Sequence, residues 1–120
     1  MRSGIKTVVL DTNALMMPFQ FKINIDREIE NLLGGVETIV PSSVVIELRR
    51  LKDRHAKAAL SLSSKYKIVE VKKRGDAGVI EAAVEHHAAV ITNDQELIEI
   101  LKKSSIPAIR MRGCQRLDFV

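Results

Sequence analysis

Two apolar runs in this chain stop on carboxylates. TVVLDTN (residues 7–13) sets Asp11 after a β-branched run, and AAVITNDQEL (residues 88–97) sets Asp94 after another. Two further acids keep apolar company. Glu47 flanks the helical stripe of Val44, Leu48 and Leu51, and Asp76 lies in line with Val79, Ile80 and Ala83. A carboxylate held near a core is costly unless it is paired, hydrogen-bonded or bound to a metal. Each acid has a local explanation: an Asx turn at Asp11, an ion pair from Glu47 to Arg50 or Arg54, an N-cap at Asp76. Asp94 is a cap candidate too, although Asn93 with Glu96 three residues on is the better cap-and-partner pair. One acidic pocket accounts for all four at once. Clustered carboxylates repel, so that pocket calls for a cation, and an all-oxygen ligand set selects Mg²⁺ or Mn²⁺ over zinc or copper.

The elements that must bring these acids together can be read from periodicity. Strands are expected over residues 6–10, 36–40, 67–71, 88–92 and 107–111. Helices are expected through INIDREIENLLGG, where Gly34–Gly35 is the stop, from a Ser42 N-cap to about residue 53, and over 54–65, 76–87 and 94–103. Strands alternating with helices predict a parallel sheet covered on both faces, a three-layer α/β/α fold forming a single domain over residues 1–120. Ligands of such sheets bind beyond the carboxyl ends of the strands. Asp11 and Asp94 both fall there.

The chain has 46% hydrophobic residues but only 3% aromatics and no Trp, so its core must be aliphatic. A single cysteine, Cys114, excludes an internal disulfide, argues against a zinc cluster and reads as an inert thiol. Neither a signal-peptide pattern nor an apolar run near the ~18 residues of a membrane span is visible, so a cytoplasmic protein without a membrane partner is expected. The net charge of +4 is concentrated in ELRRLKDRHAK, KKRG and IRMRGCQR. Arg49, Arg50, Lys72, Lys73, Arg74, Arg110 and Arg112 are therefore candidates for phosphate contacts to a polyanionic partner, with no interleaved aromatics for stacking. Ser42 and Ser43 read as helix caps. His86 and His87 read as packing or C-terminal capping residues, and His55 as solvated. Met16, Met17, Phe19 and Phe21 form an apolar segment that is part core, with a homodimer interface as the alternative.

VVLDTNALM, the glutamate of SSVVIEL, GDAGVIEAA and VITNDQEL occur in that order and resemble the four motifs of PIN-domain ribonucleases, over essentially the whole chain. The resemblance implies a parallel five-stranded sheet in the order 3-2-1-4-5 and a Mg²⁺- or Mn²⁺-dependent endoribonuclease. It places Asp11, Glu47, Asp76 and Asp94 on the acidic metal-binding and catalytic positions, and Asn13 and Thr92 on polar support positions. Within the family the chain looks most like the subgroup related to rRNA-processing endonucleases, although Asp76 is followed by Ala77 where that subgroup often has a second acid. The alternatives are a toxin ribonuclease with a cognate antitoxin, or a catalytically weak RNA-binding or ribosome-assembly module. A phosphotransfer receiver would need an Asp where Glu70 stands, and a dehalogenase-type phosphatase would need one in place of Asn13.

Overall fold

Parallel strands buried on both faces need uninterrupted apolar runs. Strands β1 (Thr7–Leu10) and β4 (Ala89–Ile91) supply them: Val8, Val9, Leu10, Val90 and Ile91 are wholly buried. Successive side chains point to opposite faces, so both faces of the sheet centre are covered and the protein has three layers. The computed structural model describes residues 4–113 and 115–120. Cys114, and with it the inert-thiol reading, lies outside them.

The sheet order is β3-β2-β1-β4-β5-β6, with β2 (Glu37–Pro41), β3 (Lys67–Val69), β5 (Ala108–Arg112) and β6 (Arg116–Phe119) completing it. The first five strands pair in parallel in the expected 3-2-1-4-5 order. The sixth is a correction to the expected count. Gly113, at φ 65°, turns the chain back so that β6 runs antiparallel to β5. Leu117 is buried, and Arg112 Nε donates to Asp118 Oδ2 at 2.8 Å across the hairpin. The hairpin covers what would otherwise be an open sheet edge.

A second correction concerns the segment after Asp11. It forms helix α1 (Thr12–Phe21) with Pro18 in its interior, where proline normally discourages a helix. Burial overrides that cost: Ala14, Leu15, Met16 and Met17 enter the core, while Phe19 is half-buried and Phe21 is left exposed. The remaining helices are α2 (Ile25–Leu33), α3 (Ser42–Arg50), α4 (Ala56–Ser63), α5 (Gly75–His86) and α6 (Gln95–Lys103). α3 stops short of residue 53 because Leu51 is already extended, at φ −72° and ψ 127°. Its start also differs from expectation. Pro41 holds the cap position, and Ser42, as the first helical residue, accepts from the Val71 N–H at 3.1 Å, tying α3 to the segment after β3. His87 ends α5 in the left-handed conformation, its N–H bonding the carbonyls of Ala83 and Val84.

Candidate active site

Leu10 and Ile91 are register partners, so the residues that follow them, Asp11 and Thr92, emerge side by side. From there the β1 connection leads to β2 on one side, and the β4 connection leads to β5 on the other. An open parallel sheet leaves a crevice at such a switch point. A cavity of about 220 Å³ occupies it, lined by Asp11, Glu47, Asp76 and Asp94 together with Thr12, Asn13, Met16 and Gln20. No described lysine, arginine or histidine lines it.

Asp11 is 6% exposed and caps α1, Oδ1 accepting from the Ala14 N–H at 2.7 Å. Burial pushes its carboxyl from 3.8 up to about 7; hydrogen bonds from Thr92 and Ala14 oppose the rise, and the charges of Asp76 and Asp94 add to it. Thr92 is wholly buried and works in both directions, because its Oγ1 also accepts from the Asp94 N–H at 3.0 Å. Asp94 is itself the cap of α6, its Oδ1 accepting from the N–H groups of Glu96 at 3.0 Å and Leu97 at 3.4 Å. Both contacts fall on Oδ1, which leaves Oδ2 for the crevice. The expected Asn93 cap is therefore incorrect. Asn93 turns to β5 instead, Oδ1 accepting from the Met111 N–H at 2.9 Å, while its own N–H donates to Asn13 Oδ1 at 2.9 Å. Asn13 thereby ties the start of α1 to the β4–α6 loop.

Asp76 stands in the first turn of α5 but is not its cap; Arg74 occupies that position without a side-chain bond. It is an exposed rim residue, not one sunk in the apolar face. Even so, partial burial and then the charges of Asp94, Glu47 and Glu96 raise its carboxyl. Glu47 is also exposed, and Thr12 Oγ1 donates to its Oε1 at 2.8 Å. The ion pairs among the described residues are Lys65–Asp26 and Arg112–Asp118, so the local alternative for Glu47, a pair with Arg50 or Arg54, does not form. Close approach of α3 to α5 sets Glu47 opposite Asp76. Gly78 permits it: a Cβ there would meet the Ser43 side chain and stand 2.6 Å from the Lys73 carbonyl oxygen. Ser43 is no cap either; pressed into this contact, its buried hydroxyl has no hydrogen-bond partner.

The candidate RNA-binding residues divide into two groups. Arg49, Lys72, Lys73 and Arg74 line one cavity, Arg50 joins Arg74 in a neighbouring one, and both lie on the β2–β3 side of the acids. Arg110 and Arg112 are on β5, across the crevice, where Arg110 Nη1 approaches Gln95 Oε1 at 3.4 Å and Arg112 is paired with Asp118. Thr12 and Glu81 were not singled out in the sequence. Thr12 sits inside the DTN motif beside Asp11, which was signal enough. Glu81, whose carboxylate accepts from the N–H groups of Lys72 and Lys73, carried no local signal.

The donors fit a hard divalent cation: all are oxygens, no basic side chain neutralises them, and they raise one another's proton affinity. Among the described residues no three of them stand as a closed ligand cage.

Sheet order and acidic crevice together define a mostly parallel α/β protein with a cluster of carboxylates at the switch point of its sheet. The chain belongs to the PIN-like domain family, whose pattern matches residues 8–114. It is similar along its sequence to ribonuclease VapC9 of Archaeoglobus fulgidus, with 32% identity over 120 residues covering 94% of this chain and 88% of that protein. Ribonuclease VapC4 of Methanocaldococcus jannaschii is 35% identical over 117 residues, covering 88% and 89%. In fold it resembles the PIN domain endonuclease Utp24, at a TM-score of 0.81 and 21% identity over 94% of this chain and 90% of that one. A domain of a functionally unknown M. jannaschii protein follows at 0.61 and 17%, covering 90% and 92%.

Proposed function

We propose that the protein is a divalent-metal-dependent endoribonuclease that hydrolyses RNA phosphodiester bonds, with Mg²⁺ or Mn²⁺ as its ion. The observation that carries this reading is the convergence of four carboxylates, without a neutralising base, on one cavity at the switch point of a PIN-like sheet. Both sequence relatives bear the name ribonuclease, which supports RNA as the substrate.

Asp11 and Asp94 would hold the ion directly, with Asp76 and Glu47 at the rim completing its ligands or orienting water. A divalent ion bound there supplies charge neutralisation of the phosphate, a more acidic water and stabilisation of the leaving oxygen. The protein's own contribution is positional. Thr92 aligns Asp11 with Asp94, Thr12 fixes Glu47, and Asn13 braces the loop that carries Asp94. Arg49, Arg50, Lys72, Lys73 and Arg74 bring the RNA backbone to the crevice through its phosphates.

The relatives matched along the sequence are ribonucleases by name, and the likeness to Utp24, at 21% identity, is one of fold; a toxin ribonuclease with a cognate antitoxin is the alternative to an RNA-processing role. The test is incubation of end-labelled RNAs with the protein in Mn²⁺, Mg²⁺ or EDTA. Internal cuts that need the metal and vanish in Asp11→Asn are expected. Cutting that survives both EDTA and Asp11→Asn would overturn the assignment.

A further inference from the structure

Two more cavities continue the acidic one over the ends of β2 and β3. The first, of about 340 Å³, shares Glu47, Leu51 and Gly75 with it, and its wall adds apolar Ile46 and basic Arg50 and Arg74. The second, of about 380 Å³, shares Ile46 and Arg74 with the first and carries Arg49, Lys72 and Lys73 against a single acid, Glu70. The walls therefore run from acidic, through apolar, to basic. Ile46 and Leu51 are each 38% exposed, apolar side chains left in solvent between two charged regions. The basic end is held in place: Glu81 accepts from the Lys72 N–H at 3.0 Å and the Lys73 N–H at 2.9 Å, which fixes the backbone that presents both lysines.

A strand of RNA offers the complementary series. Its phosphates suit the basic end, and the face of an unstacked base suits an apolar wall. A volume of about 340 Å³ lies at the small end of ligand clefts, which run from roughly 300 to 1,000 Å³. The geometry points to the middle cavity as a nucleobase subsite: it seats one unstacked base of the RNA against Ile46 and Leu51, next to the phosphodiester that lies at Asp11 and Asp94, while Arg74, Lys72 and Lys73 hold the phosphates beyond it. This rests on the ribonuclease reading above. It makes one position beside the cut sensitive to the presence of a base, through apolar contact and without aromatic stacking.

The test couples one side chain to one base. A short fluorescein-labelled single-stranded RNA carries an abasic residue, walked along the strand one position at a time, and its binding is read by anisotropy in EDTA. With the wild-type protein, one abasic position should weaken binding about fivefold, the low end of a single base contact. In Ile46→Ala, an exposed helix position where alanine is well tolerated, the same abasic residue should cost nothing further. Circular dichroism checks that the variant is folded, and cleavage of the same strand in Mn²⁺ checks the underlying reading. Base loss that matters equally in both proteins, or at no position, overturns the subsite while metal-dependent cleavage leaves the nuclease standing. A strand neither bound nor cut overturns both.

Discussion

Replacing Asp11 with Asn separates its charge from its cap. The Asn side chain keeps an Oδ1 to accept from Ala14 and is a good N-cap residue in its own right. What it removes is an anion that burial disfavours. In the unfolded chain the carboxyl ionises near 3.8, and in the folded one at about 7, so the folded state holds the proton more tightly. The group's contribution to stability is therefore fully present below pH 3.8, is lost as pH rises, and is gone once pH passes about 7. At about 1.4 kcal/mol for each tenfold change in proton affinity, the ceiling on that loss is about 4 kcal/mol, and admission of water to the crevice brings the expected value to about 2 kcal/mol. For a chain of this size 1 kcal/mol moves Tm by roughly 4 °C, so Asp11→Asn should melt roughly 8 °C higher than wild type near pH 8 in EDTA. Near pH 4, where the wild-type carboxyl is protonated, the two should coincide within roughly 2 °C. Thermal denaturation followed by circular dichroism across that pH range reads the difference directly. Saturating Mn²⁺ should reverse the order at the higher pH, because only the wild type gains the full binding energy. A gap that does not change with pH, or a variant less stable than wild type at the higher pH, would refute the argument that Asp11 is a strained member of an acidic cluster.

Three further outcomes follow from the same geometry. Asp94→Asn and Asp94→Ala should both abolish cleavage, but only the alanine loses the cap of α6, so urea denaturation should find it about 1 kcal/mol less stable than the asparagine. Gly78→Ala should destabilise by about 1–3 kcal/mol, read as a lower Tm, because the new Cβ meets the Lys73 backbone and the Ser43 side chain; an unchanged or raised Tm would mean that α3 and α5 are not closely packed there. RNA binding should survive EDTA but weaken with salt, and replacing Lys72, Lys73 and Arg74 together by Ala should flatten the log–log salt dependence by about 2, at about 0.7 per lost contact, with Mn²⁺ affinity by calorimetry unchanged.

The central strands were legible because full burial demands consecutive apolar residues, and VVL and AVI leave no other reading. Asp11 and Asp94 were legible as charges set directly after buried strands, whereas Glu47 and Asp76, read as acids beside an apolar stripe, stand exposed at the rim. Propensity misled where tertiary burial overrode it: Pro18 hid α1, although Asp11 before a run of apolar residues was a helix-start signal. In IRMRGCQRLDF the arginines drew attention from the hairpin, whose marks were Gly113 and the alternation of Leu117 with Phe119. Which residue caps α6 was undecidable from Asn93 and Asp94 alone. The choice is made by Met111, on another strand, which takes up the Asn93 side chain. Glu81 is the same case at shorter range, since its partners are backbone groups of a loop that only the fold brings to it.

Two of the four acids do double duty, and this bears on how the protein keeps them together before a cation arrives. Asp11 and Asp94 stand at the N-termini of α1 and α6, where the helix dipole and free N–H groups favour an anion by about 0.3–1 kcal/mol each. That support offsets part of their mutual repulsion, and it uses few of their oxygens: Asp94 spends only Oδ1 on its helix. Glu47, in the middle of α3, has no such terminus and draws on the Thr12 hydroxyl instead. Asp76, at the rim, relies on solvent. The support is graded, and burial pushes the carboxyl of Asp11, the most deeply buried, up to about 7. Below about pH 7 a proton on Asp11 would relieve part of that repulsion, and a cation binding there would displace it. Calorimetry of Mn²⁺ binding at a pH below 7, repeated in buffers of different ionisation enthalpy, should register release of close to one proton, and the release should disappear in Asp11→Asn. Proton release that persists in that variant would place the proton on another carboxylate and undo the grading.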